Sequence, residues 1–122
     1  MSGFTIPAFL VLAGAGAGLR WLAADRWPGG HRGTLLVNVA GAFLLGLLVG
    51  SGASAATMTV VGTGGLGALT TFSRFAQDAA DLAEPADDNS PEMRSLSAPV
   101  LYVGGTLSLG LVAAWLGLEI AS

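Results

Sequence analysis

Between Arg32 and Arg74 the sequence holds no charged residue. Wound as one helix at about 1.5 Å per residue, that run would reach about 60 Å, against about 30 Å for the hydrocarbon core of a bilayer. It is too long for one membrane crossing and suits two. The small, polar cluster Ser51-Gly52-Ala53-Ser54 is the natural turn between them. The second half ends in Gly64-Gly65-Leu66-Gly67-Ala68-Leu69-Thr70-Thr71-Phe72-Ser73-Arg74-Phe75, a stretch rich in glycine, hydroxyls and aromatic rings. At membrane depth, such a stretch is where a small protein concentrates its function.

The rest of the chain agrees with a membrane setting. Hydrophobic residues make up 52% and charged residues 11%, which places the chain among all-α integral membrane proteins with one domain over residues 1–122. The absence of cysteine excludes disulfides and thiolate chemistry. Lysine is absent too, and the formal charge of −3 comes mostly from an acidic stretch at residues 78–92, so no nucleic-acid partner is expected. The N-terminus lacks a basic flank before its apolar stretch, so it reads as a retained span rather than a cleaved signal peptide.

Four spans are expected, near residues 4–23, 33–50, 55–80 and 98–118, with the third broken between Gly64 and Thr71. The loop at residues 81–97 is polar and acidic. Gly14 with Gly18, and Gly46 with Gly50, stand four residues apart, a spacing that lets helix backbones approach closely in lipid. At least one of these pairs is expected at a helix–helix contact. Arg26, His31, Arg32 and Arg94 all fall in the first and third loops, which predicts those loops on the cytoplasmic side and both termini outside. Four short helices cannot enclose a wide pore, so a dimer with a pathway built from both chains is expected.

Several residues carry polarity into this apolar frame. Arg20 ends the first span, either snorkelling to the interface beside Trp21 or marking the mouth of an anion route. Asn38, one turn after Thr34, is the one strongly polar side chain deep in the second span. It is either an interhelical hydrogen-bond partner or a donor to a permeating anion. Phe72 and Phe75 share a helix face just after the break, and aromatic ring edges attract a small anion without a full charge. Gly67, Thr70 and Thr71 sit at the break, where freed carbonyls need protein, water or a cation. Arg74 and Asp78 are four apart and suited to pairing. Tyr102 and Thr106 share a face of the fourth span.

Three segments together resemble the CrcB/Fluc fluoride-channel family: Gly18-Leu19-Arg20-Trp21, Gly33-Thr34-Leu35-Leu36-Val37-Asn38-Val39-Ala40-Gly41, and Gly67-Ala68-Leu69-Thr70-Thr71-Phe72-Ser73-Arg74-Phe75. The resemblance implies an antiparallel dimer with two narrow fluoride pores and a central structural sodium ion. It further implies that Phe72, Phe75, Asn38 and Thr71 line the pore, with Tyr102 and Thr106 near its polar positions. Arg20 would stand in the vestibule, and the carbonyls of Gly67 and Thr70 would hold sodium. Arg74 stands where the family usually has a small hydroxyl residue, and Asp78 where glutamate is common.

The expected function is passive export of fluoride through the cytoplasmic (inner) membrane, with no chemical step and therefore no enzyme. The one-sided charge bias leaves two assemblies open: a homodimer that tolerates the bias, or an antiparallel heterodimer with an oppositely biased paralogue. A small multidrug-resistance exporter is the alternative among short four-span dimers, but it needs a carboxylate in the first span, and residues 4–23 contain none. A membrane assembly subunit without transport activity is the remaining alternative.

Overall fold

The computed structural model describes residues 3–83 and 97–122, and among them the chain is helical with no strand. Helix α1 spans Thr5–Asp25, α2 spans Gly30–Gly50, and α6 spans Ser97–Ala121. Between α2 and α6 lie the single turn α3 (Ala55–Thr57), a π-helical segment (Met58–Leu66), the single turn α4 (Gly67–Leu69) and α5 (Phe72–Ala83). Arg94 and most of the 81–97 loop lie outside the described residues.

Three helices are long and apolar enough to cross a membrane: Thr5–Asp25, Gly30–Gly50 and Ala98–Ala121. At 21 residues, α1 and α2 are each about 30 Å long, which matches a hydrocarbon core. Their surfaces are apolar on nearly every side. Leu10, Val11, Leu44, Val49, Leu111 and Trp115 all stand exposed on the isolated chain. An outward-facing apolar surface is what lipid or a second protein wall would cover.

The expected turn at residues 51–54 is present. Gly52 takes φ 71°, a left-handed conformation that suits glycine, and the Ser54 hydroxyl caps α3 by accepting from the Thr57 N–H at 3.2 Å. The first turn is tighter than the sequence suggests. It holds a cis Trp27–Pro28 bond and the positive-φ residues Gly29 and Gly30, so His31 and Arg32 belong to the opening of α2 rather than to a loop.

Among the described residues, helices α2 and α6 share the most extensive contact. Gly46 lies against the Ala114 carbonyl, Gly50 against Leu118, and Gly117 against the Phe43 carbonyl, so a Cβ at any of the three would overlap backbone. Without a hydrophobic gain from leaving lipid, this close approach stabilises the pair through dispersion. Gly46 and Gly50 thus fulfil the expectation for one glycine pair. Gly14 and Gly18 meet nothing within 4 Å, and it is Gly16 between them that abuts the Gly65 carbonyl. That contact seats α1 on the π segment.

Candidate functional site

The helical run stops at Leu69. Thr70 is extended (φ −85°, ψ 157°), and α5 begins at Phe72. Local chemistry holds this interruption open from both sides. The Thr70 N–H and hydroxyl both donate to the Leu66 carbonyl at 3.0 Å, which fastens the end of the upstream turn. The Thr71 hydroxyl accepts from the Arg74 N–H at 3.2 Å, three residues on, the pattern of a helix N-cap.

Asn38 spans the gap from α2. Its Nδ2 donates to the Thr71 carbonyl at 3.2 Å, and its Oδ1 accepts from the Thr71 N–H at 2.8 Å. One side chain thereby satisfies both polar groups of one interrupted residue. The N–H of Thr71 would otherwise continue the helix onto the Gly67 carbonyl. Once Asn38 takes it, that carbonyl is left without its helical donor. An amide NH₂ carries two hydrogens, so the second remains available to another acceptor. The packing of Gly41 on the Thr70 methyl group brings α2 close enough for this clamp.

Beside the clamp runs an open apolar groove of about 520 Å³. Asn38, Gly67, Thr70, Thr71, Phe72 and Phe75 line it from one side, and Thr106 of α6 lines it from the other. Among the described residues, no charged side chain reaches its wall. The Phe72 and Phe75 rings lie 6.0 Å apart, tilted by 49°. Phe75 is buried, whereas Phe72 is 79% exposed and forms an edge with no opposing wall in the single chain. Phe75 also contacts Tyr102 at 5.3 Å, and His31 meets Tyr102 edge-on at 5.5 Å. The Thr106 hydroxyl is buried and makes no hydrogen bond among the described residues, and the buried Tyr102 hydroxyl lies beside Thr34. Buried hydroxyls without partners are uncommon and costly.

Arg20 lies elsewhere. It lines a second cavity of about 330 Å³ together with Trp21, Asp25, Ser73, Arg74 and Gln77. Thr71 belongs to the walls of both this cavity and the groove. Arg26 stacks over the Trp21 ring at 5.9 Å, an arrangement suited to a membrane–water boundary.

The expected Arg74–Asp78 pair forms, with Nε 3.2 Å from Oδ1. A further partner of Asp78 was not legible in the sequence. The Thr34 hydroxyl donates to Asp78 Oδ2 at 2.5 Å, across 44 residues of chain. This bond ties α5 to α2 one turn away from the Asn38 clamp. The only sequence signal was that Thr34 and Asn38 share a face. Ser73 and Gln77 of the second cavity carried no signal beyond their helical spacing.

The fold and site define a small, polytopic helical membrane protein whose backbone is interrupted beside an uncharged groove. Residues 8–118 match the family described as CrcB-like protein, Camphor Resistance (CrcB), and the chain belongs to that family. It is 39% identical to fluoride-specific ion channel FluC 1 of Geobacillus kaustophilus over 119 residues, covering 93% of this chain and 96% of that one. It is 39% identical over 118 residues to fluoride-specific ion channel FluC 2 of Rhodococcus jostii, with the same coverage. A third relative, fluoride-specific ion channel FluC 1 of Halobacterium salinarum, is 47% identical over 62 residues, covering 48% of this chain and 52% of that one.

Proposed function

We propose that this chain is a passive fluoride channel of the cytoplasmic membrane and works as a dimer. The observation that carries this reading is the uncharged groove, where the Phe72 and Phe75 rings, the Asn38 amide and the unpartnered Thr106 hydroxyl converge. Fluoride is small and holds its water strongly, so a pathway must replace that water with other donors. Ring edges, an amide N–H and hydroxyls supply partial positive charge without the full charge that would trap the ion. A hydrogen bond to a charged group contributes about 1.5–3 kcal/mol, so a few of them in series bind the anion and still release it.

The roles follow from position. Phe72 and Phe75 present ring edges along the groove, Asn38 offers its second amide hydrogen, and Thr71 and Thr106 offer hydroxyls. Tyr102 sits behind Phe75 and packs against its ring. Arg20 gathers anions at the mouth. The relatives named as fluoride-specific channels support the choice of fluoride among small anions.

A second copy in antiparallel orientation, this chain or a paralogue, would supply the wall that Phe72 lacks. The interruption at Thr70 and Thr71 would then lie at mid-membrane depth. The carbonyls of Gly67 and Thr70 suit a structural sodium ion there. The Gly67 carbonyl has lost its helical donor to Asn38, and freed carbonyls in a discontinuous helix are hard-oxygen ligands for such a cation. Bound sodium would supply a fixed positive charge that holds the interrupted backbones together.

Fluoride efflux from liposomes that contain only this purified chain tests the reading, with chloride as the control ion. Fast fluoride efflux without chloride efflux is the expected result. Well-folded protein that passes neither ion, alone or co-reconstituted with a paralogue, would overturn it.

A further inference from the structure

The second cavity is lined by two arginines and one acid. Arg20 and Asp25 come from α1, and Arg74 comes from α5. Without Arg74 the cavity would hold one cation and one anion, and its field would nearly cancel. Among the lining residues, Arg74 is therefore the one that tips the wall to net positive, its partner Asp78 standing outside that lining.

Its geometry fits that task. The Arg74 side chain is 39% exposed, while its partner Asp78 is 7% exposed and lies behind it. Asp78 is itself held to α2 by the Thr34 hydroxyl. The carboxylate grips Nε at 3.2 Å, and the terminal guanidinium nitrogens make no hydrogen bond among the described residues. The pair is thus an oriented dipole, anchored at its negative end and open at its positive end. Thr71 belongs to both walls, so this cavity borders the groove.

We propose that Arg74 is a second anion-collecting residue which, with Arg20, draws small hard anions into the cavity that feeds the groove, while Thr34 and Asp78 hold its guanidinium in place. This rests on the channel reading above and assigns a role to a side chain that the expected pore set leaves out. Focusing by charge in a partly enclosed cavity raises local ion concentration and is weakened by salt.

The test is fluoride efflux from liposomes carrying wild type, Arg74→Gln or Arg74→Lys, each in dilute buffer and again with about 0.5 M impermeant salt, where screening acts within a few ångströms. Arg74→Gln is expected to lower efflux about 3- to 10-fold in dilute buffer and to approach wild type in high salt. Arg74→Lys keeps the charge and should stay close to wild type in both. Equal efflux for Arg74→Gln and wild type in dilute buffer would overturn the proposal. So would a loss that Arg74→Lys shares and salt does not relieve, because that marks a structural role. A wild-type chain without fluoride efflux fails at the channel reading itself, which separates the two outcomes.

Discussion

The α2–α6 contact and the groove beside α5 are built from the same two helices in opposite ways. Toward the C-terminal end of α2, Gly46 and Gly50 meet α6 with backbone against backbone, and no polar side chain intervenes. About two and three turns before Gly46, α2 presents Asn38 and Thr34, and α6 answers with Tyr102 and Thr106. The first region is complete within one chain. The second has, among the described residues, a buried Thr106 hydroxyl without a partner and a phenylalanine without an opposing wall. A protein that spends its polarity in one zone only, and leaves that zone unfinished, marks where something else must bind.

Asn38→Asp should break this contrast most severely. The carboxylate cannot donate to the Thr71 carbonyl, and it sets a full negative charge on the groove. Fluoride efflux should fall by a factor of 100 or more on an order-of-magnitude view, since each 1.4 kcal/mol is about tenfold and an uncompensated charge in a low-dielectric wall costs several kcal/mol. Near-normal efflux from folded Asn38→Asp protein would remove this residue from the pathway.

Gly46→Leu should do the reverse. Added carbons there meet the Ala114 backbone, which cannot move aside as a flexible side chain would. Overpacking of this kind costs about 1–3 kcal/mol. Thermal denaturation in detergent should show a clearly lowered midpoint, and an unchanged midpoint would mean that the α2–α6 approach is looser than described. Gly14→Leu, which meets open space in one chain, is the matching control for that measurement.

Thr106→Val is the mildest change. It removes a hydroxyl that makes no internal hydrogen bond, so folding should be unaffected or slightly improved. If that hydroxyl serves the anion, efflux should fall by about 10-fold, the lower end of the worth of one hydrogen bond to a charged group. Unchanged efflux would confine the pathway to the Asn38 and phenylalanine side of the groove.

Much of this architecture was legible in the sequence because it follows from composition and punctuation. A long charge-free run forces a turn, and Gly52 with Ser54 supplies one. The interruption was expected between Gly64 and Thr71 and is found at its far end, at Thr70 and Thr71. What escaped notice depends on phase and on distant partners. Gly14 and Gly18 have the familiar spacing, yet Gly16 makes the contact, because spacing says which residues share a face and not which face is used. The two roles left open for Asn38 are not exclusive. Its amide ties down Thr71, and one hydrogen remains for an anion. The Thr34–Asp78 bond had no signal beyond the face that Thr34 shares with Asn38, since nothing local links positions so far apart. The π segment had none either, because a shift from four-residue to five-residue bonding leaves no periodic trace over nine residues.

That π segment reaches beyond its own residues. Each residue in a five-residue hydrogen-bond pattern turns the chain less than in an α-helix, so Met58–Leu66 acts like an angular offset inserted upstream of the interruption. It sets the compass bearing at which Thr70 arrives beneath Gly41 and Thr71 arrives at Asn38. Deleting a single residue from the segment would leave composition and hydropathy almost unchanged and yet rotate every downstream side chain to a new heading. The alignment of the pathway is thus written partly in the pitch of the stretch just upstream, which itself lends Gly62 and Leu66 to the groove wall.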